Sequence, residues 1–264
     1  MQNKICNKKI IITGASSGIG ERICWHVAKS GGIPIMLARS EDKLVAIQKQ
    51  LMSELEAHSF IYRIDLQREE ALDPIIDMIL ADHGQVHGLI NNAGIGVFDY
   101  VKDMKWDDIA QMFRLNVFAA MQLSQRFIPH FTEHGEGHII NIISQAAKIA
   151  TPKSAAYGAS KHAILGFTNA MRQELSKENI FVTAVNLGPV RTNFFSVADP
   201  NGAYQKNVER YMLDPDKVAK VIVESLFKNK REINMPFWME IGSRFYSVLP
   251  GFMEKILKGQ FNKK

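Results

Sequence analysis

Tyr157 and Lys161 stand four residues apart, so a helix carrying them would place a phenol and an ammonium on one face. A phenol with a pKa near 10 is poorly matched to proton transfer near neutral pH. An ammonium about 4 Å away acts with roughly 4 kcal/mol at an effective dielectric of about 20, comparable with the energy that moves such a pKa by about three units. The pair is therefore a candidate proton donor and acceptor. A second group speaks of phosphate. Thr13-Gly14-Ala15-Ser16-Ser17-Gly18-Ile19-Gly20 leads from an apolar run directly into an amphipathic segment. Glycines permit a tight turn and close backbone approach, and the free amides of a helix start favour an anion such as pyrophosphate.

These residues need elements to hold them. From Lys9 the chain alternates short apolar runs with longer amphipathic segments, the pattern of βαβ units and a parallel sheet. Strands are expected at Lys9 to Thr13, Ile33 to Ala38, Phe60 to Ile64, Gly88 to Asn91, His138 to Ile143, Ile180 to Asn186 and Glu232 to Met235. Helices are expected at Gly18 to Ser30, Glu41 to Glu56, Leu72 to Asp82, Asp107 to Phe131, Ala155 to Ser176 and Pro215 to Phe227. Without a repeat or a Pro/Ser-rich linker, this order predicts one α/β domain: a doubly wound parallel sheet of about seven strands with helices on both faces. Ligands of such sheets sit at the carboxyl ends of the strands, and each chemical motif falls there.

The turn reads TGxxxGxG, and further motifs follow in order. Asn91-Asn92-Ala93-Gly94 follows the fourth strand, Asn116 lies within the long helix, and Ser144 follows the next strand. Tyr157-Gly158-Ala159-Ser160-Lys161 opens another helix, and Asn186-Leu187-Gly188-Pro189 ends the strand after it. A YxxxK match alone is weak, but the ordered set resembles the short-chain dehydrogenase/reductase family, from about Lys8 to Met235. The resemblance implies a Rossmann-type fold and an oxidoreductase that moves a hydride between a nicotinamide cofactor and a carbonyl or alcohol. It casts Asn116, Ser144, Tyr157 and Lys161 as a catalytic tetrad. Tyr157 would be general acid or base, Lys161 would also bind the nicotinamide ribose, Ser144 would bond the substrate oxygen, and Asn116 would hold a water leading from Lys161 to solvent. It assigns Gly14, Ser16, Ser17, Gly18, Ile19 and Gly20 to the pyrophosphate, Asp65 and Leu66 to the adenine, and Asn92, Ala93 and Gly94 to the ribose and nicotinamide. Gly188, Pro189 and Thr192 resemble the segment that contacts the carboxamide, and Asn91 would order the central sheet.

Cofactor choice turns on Met36-Leu37-Ala38-Arg39-Ser40. An acid at the end of the second strand accepts from the ribose 2′-hydroxyl of NAD and repels the 2′-phosphate of NADP. Arg39 occupies this region with no carboxylate before it, and a guanidinium binds phosphate by charge-assisted bonds. NADP(H) is the expected cofactor, with Ser16 and Ser40 as further donors, although Glu41 and Asp42 lie close by. Val97, Phe98, Ile149, Phe194 and Phe195 fall in segments bordering the family's substrate cleft and suggest an apolar substrate. Residues 190–211 would form a flap over it.

At 264 residues, 46% hydrophobic and 22% charged, the chain can build its core without disulfide or metal. The net charge of +5 comes with no basic-aromatic motif, which argues against nucleic acid. Cys6 and Cys24 form no CxxC pair, and the polar lead MQNKICNKK lacks the apolar run of a secretory signal, so a cytoplasmic setting is expected. His130, His134 and His138 recur every four residues, but Gly135 and Gly137 interrupt that helix and no metal site is expected. Residues 236–264 extend beyond the cofactor-binding core of 8–235 with an apolar stripe of Phe237, Trp238, Ile241, Phe245 and Leu249. The stripe should pack on the domain or on a sister subunit, or else touch a membrane surface helped by Lys255, Lys258, Lys263 and Lys264. The resemblance implies a homodimer or homotetramer built through the helices that begin near Asp107 and Ala155. The alternatives are a non-catalytic NADP-binding regulator on the same fold and an NAD-retaining epimerase of the extended branch, whose larger substrate domain and turn spacing this sequence lacks.

Overall fold

The structure, a computed structural model, describes residues 4–261. Its seven strands are β1 (Lys9–Thr13), β2 (Ile33–Ala38), β3 (Phe60–Arg63), β4 (Gly88–Asn91), β5 (Gly137–Ile142), β6 (Ile180–Leu187) and β7 (Glu232–Met235). They form one parallel sheet in the order β3-β2-β1-β4-β5-β6-β7. The helices are α1 (Gly18–Lys29), α2 (Glu41–Leu55), α3 (Leu72–His83), α4 (Trp106–Phe113), α5 (Ala119–Glu133), α6 (Ala155–Glu174), α7 (Phe194–Ala198), α8 (Ala203–Val208), α9 (Pro215–Glu224), α10 (Phe237–Val248) and α11 (Pro250–Phe261).

Burial of the central strands on both faces explains their largely apolar runs. Along β1, Ile10 and Ile12 join the cluster under α1, α2 and α9, while Ile11 joins the cluster under α3, α5 and α6. That alternation is the period-2 geometry of a strand, and fully burying one such side chain contributes about 1.5–3 kcal/mol. Cys24, Val27, Leu44, Leu51, Val218 and Ile222 cover the first face, and Leu72, Ile76, Leu123, Phe127, Phe131 and Met171 cover the second. The expected strands and helices are all present, with ends displaced by one to three residues where caps or turns intervene.

One long element differs in kind. The stretch expected as a single helix from Asp107 to Phe131 contains a π-helical turn at Arg114–Phe118, which separates α4 from α5. The extra residue has a partner that the helical pattern does not reveal. The Asn116 side chain accepts from the Ile95 amide at 2.9 Å and donates to the Ile95 carbonyl at 2.9 Å, tying the turn to the loop after β4.

Candidate active site

The turn between β1 and α1 is built on backbone that side chains resist. Gly14 and Gly18 have φ of +65° and +59°, the left-handed region that glycine enters without strain. A Cβ on Gly14 would lie 2.9 Å from the Ala93 Cα, so the turn sits directly against the end of β4. Thr13 Oγ1 accepts from the amides of Asn92 and Ala93 at 2.9 and 3.0 Å, and the Asn92 side chain donates to the Thr13 carbonyl at 2.9 Å. Ser16, Ser17, Gly18 and Ile19 line a cleft of about 730 Å³. Ser17 makes no side-chain cap, so the first amides of α1 are available to an anion, as a pyrophosphate requires. Gly20 does not line the cleft; a Cβ there would come 2.2 Å from the Gly14 carbonyl oxygen, so its part is to let α1 start beneath the turn.

The next two strands end at the same cleft. Arg39 and Ser40 follow β2, and Asp65 and Leu66 follow β3; all four line it. Arg39 is exposed, while the nearby Glu41 carboxylate is drawn 3.8 Å from Arg63. Asp65 accepts from the Gln67 amide at 3.1 Å, which shapes the turn that presents Leu66.

At the far end, Ser144, Tyr157 and Lys161 line the cleft beside Asn92, Ala93, Gly94, Gly188, Pro189 and Thr192. Lys161 donates from Nζ to the Ile142 carbonyl at 3.0 Å. Asn116 lies behind this wall rather than in it, donating to Ser160 Oγ at 3.0 Å. A Cβ on Gly94 would lie 3.1 Å from Asn116 Oδ1 and 3.3 Å from Lys161 Nζ. Asn91 joins the central strands as expected, donating to Asn141 Oδ1 at 2.8 Å.

The electrostatics correct one expectation. Burial pushes the Tyr157 phenol up to about 12, against a lowering hydrogen bond with Ser144 and with a further upward push from Tyr204. Burial pushes the Lys161 ammonium down to about 8. The ammonium lies 5.9 Å from the centre of the Tyr157 ring, and burial, which disfavours the phenolate, is the largest influence on the phenol.

Aromatic rings enclose the remaining space. Tyr157 lies 5.7 Å from both Phe98 and Phe194, and Phe98 lies 5.3 Å from Tyr204, between ring centres. Phe98, Ile149, Phe194 and Phe195 line the cleft as expected, whereas Val97 packs in the cluster around Met112 and Tyr157. The 190–211 segment supplies Val190, Tyr204, Val208 and Tyr211 to the lining, and α10 and α11 supply Trp238, Met239, Gly242 and Met253. Most of the C-terminal stripe is left uncovered: Phe237, Ile241, Phe245 and Leu249 are exposed, and Trp238, though 54% exposed, meets the Tyr211 ring at the cleft. Instead the helix is anchored by Glu240, only 4% exposed, which meets Lys148 at 2.7 Å. Lys148 also meets Glu232 at 2.7 Å and Asn234 at 3.2 Å. Lys263 and Lys264 lie outside the described residues.

The spaced histidines do separate things. His138 is fully buried, with one ring nitrogen 2.9 Å from Thr183 Oγ1 and the other accepting from the Phe227 amide at 2.9 Å. His130 accepts from the Val86 amide at 3.0 Å. Among the described residues no three His, Cys, Asp or Glu side chains converge in a way that could hold a metal.

A family model described as short chain dehydrogenase matches residues 8–201. Dehydrogenase/reductase SDR family protein 7-like of Drosophila melanogaster is 30% identical over 239 residues, which is 88% of this chain and 73% of that protein. Among solved structures, a short-chain dehydrogenase from Sphingobium yanoikuyae in complex with NADPH has a TM-score of 0.80 at 24% identity, covering 95% of both chains. A short chain dehydrogenase/reductase from Burkholderia phymatum in complex with NAD has a TM-score of 0.86 at 22% identity, covering 94% of this chain and 96% of that one.

Proposed function

The chain belongs to the short-chain dehydrogenase family, and from that premise we propose that it is an NADPH-dependent reductase of a carbonyl compound with an apolar body. The observation that carries this reading is the continuity of one cleft from the glycine turn and Arg39 to Ser144, Tyr157 and Lys161, and on to an aromatic enclosure. NADP(H), when bound, supplies or accepts the hydride. Ser16, Ser17, Gly18 and Ile19 hold the pyrophosphate, Arg39 and Ser40 the 2′-phosphate, and Asp65 and Leu66 the adenine. Asn92, Ala93 and Gly94 border the ribose and nicotinamide, and Gly188, Pro189 and Thr192 the carboxamide.

Tyr157 gives its proton to the carbonyl oxygen, which Ser144 holds by a hydrogen bond. Burial pushes the phenol up to about 12, so at ordinary pH Tyr157 carries the proton that it donates in reduction. Lys161 orders the nicotinamide ribose, and Asn116 fixes the loop at Gly94 and Ile95 against which Lys161 rests. The reading includes a cytoplasmic setting, which the two free cysteines support, and a homo-oligomer formed through α4 to α6. Trp106 and Phe118, 76% and 45% exposed, support that interface.

Tyr157→Phe tests the chemistry. A panel of carbonyl substrates followed by NADPH absorbance should show the variant slowed by about 10²–10⁴-fold in kcat, with NADPH affinity and folding retained. Near wild-type turnover by the variant would remove Tyr157 from the mechanism. Absence of turnover by the wild-type protein on every carbonyl would favour the regulator over the reductase.

A further inference from the structure

We propose that the outer face of α10 and α11 docks on a membrane leaflet rich in anionic lipid. On α10, Phe237, Ile241, Phe245 and Val248 are 71%, 44%, 59% and 75% exposed, and on α11 Phe252 and Ile256 are 61% and 59% exposed. At i, i+4, i+8 and i+11 the four on α10 share one side of that helix, and Phe252 and Ile256 sit one turn apart on α11, a concentration of exposed apolar side chains rather than the scatter of an ordinary surface.

The patch cannot turn inward. Glu240 and Ser243, on the opposite side of α10, are buried, and Glu240 is held to Lys148 at 2.7 Å and to Arg244 at 3.0 Å. The Tyr246 hydroxyl donates to Glu254 at 2.9 Å, fastening α11 to α10. Twelve residues per helix give about 18 Å, too short to cross a bilayer. Among the described residues no helix is long and apolar enough to do so. An amphipathic hairpin of this kind lies in the interface plane.

Charge selects the occupant. In the sequence, residues 236–264 carry two carboxylates against five bases, a net +3 whose excess is Lys258, Lys263 and Lys264, the last two lying outside the described residues. Self-docking about a two-fold axis would set that charge against itself, whereas an anionic leaflet attracts juxtamembrane Lys and Arg at about 1 kcal/mol each. Trp238, with its ring centre 5.6 Å from that of Tyr211, stands where the patch meets the cleft mouth, and such rings favour the headgroup level. Docking therefore turns the mouth of the cleft toward the bilayer. The surface stands independently of the reaction proposed above, because binding is read without turnover.

Flotation of the full chain with vesicles tests it. The protein should float with equimolar phosphatidylcholine and phosphatidylglycerol, float less with phosphatidylcholine alone, and be released by salt. Phe245→Glu combined with Val248→Glu should cut partitioning by more than about ten-fold, with circular dichroism, thermal midpoint and NADPH affinity retained. Lys255→Ala, at an exposed position, should weaken only the anionic-lipid component and serves if the double variant folds poorly. Failure of the wild-type protein to float overturns the proposal, as does equal flotation of both apolar-face variant and wild type. Conversion of an oligomer to a smaller species by the double substitution, seen by light scattering without any vesicle binding, would assign the face to a second copy instead.

Discussion

Arg39 stands exposed where β2 releases the chain into the cleft, and the nearby Glu41 carboxylate lies 3.8 Å from Arg63. Arg39→Asp exchanges a phosphate donor for a like charge, and a hydrogen bond to a charged group contributes about 1.5–3 kcal/mol, or roughly ten- to hundred-fold in affinity. NADPH affinity should fall by at least that much while NADH affinity changes little or improves, read as the ratio of dissociation constants by fluorescence titration. An equal loss for both cofactors would dismiss Arg39 as the selector. At this scale the sequence shows functional groups better than it shows their supports. Spacing and order single out Gly14, Gly18, Ser144, Tyr157 and Lys161, and the structure brings them to one cleft. Thr13 was legible only as the first residue of the turn, because its hydroxyl gains meaning by accepting from the amides of Asn92 and Ala93 just after β4, 79 and 80 residues away. The Tyr157 pKa was legible only in its charge partner, since burial by Phe98 and Phe194 depends on a fold that closes over the ring.

Among the elements, strands read clearly because the central ones are buried on both faces and so are written as near-continuous apolar runs, broken in β5 by His138 and Asn141. The π turn at Arg114–Phe118 did not, since helical periodicity averages over a single extra residue. Nor did the anchor of α10: Lys148 is separated from Glu232 and Glu240 by 84 and 92 residues, beyond any local pattern. Burial alone would raise the Glu240 carboxyl, but hydrogen bonds from Lys148 and Arg244 and the charge of Lys148 hold it below the usual range. Glu240→Gln leaves the half-buried Lys148 with Glu232 as its remaining carboxylate, and a half-emptied, partly buried network costs about 1–3 kcal/mol. The variant should melt at lower temperature. Because Met239 Sδ would lie 2.7 Å from a Cβ on Gly188, loosening α10 should raise KM for the carbonyl substrate more than it changes NADPH affinity. An unaltered melting midpoint with unaltered KM would show the network to be idle.

Across the whole molecule, acid should find a common weakness. Burial pushes His138 down to about 3 and His87 down to about 4, with Lys8 adding to the effect at His87, and burial also lowers His83 and His130. A histidine with a depressed folded pKa takes up its proton more readily unfolded. Stability is therefore full above the unfolded value near 6.5 and is lost as pH falls toward the folded value, by up to about 1.4 kcal/mol per pH unit per residue. Urea midpoints measured from pH 7.5 to pH 5 should decline, and His138→Gln should flatten that slope even if its baseline stability is lower. An unchanged slope would move the acid sensitivity elsewhere. The strand order has a different reach, into how the chain is made. Strand β1 sits between β2 and β4 and pairs Ile10 with Gly88 and Ile11 with Leu89, so during synthesis one side of its backbone has no neighbour until some 75 further residues have emerged. At about 5–20 residues per second that edge stays open for several seconds. Throughout that interval the nascent chain displays an apolar ribbon able to pair with another polypeptide, and it is then that a ribosome-bound holdase would have its purchase on this protein.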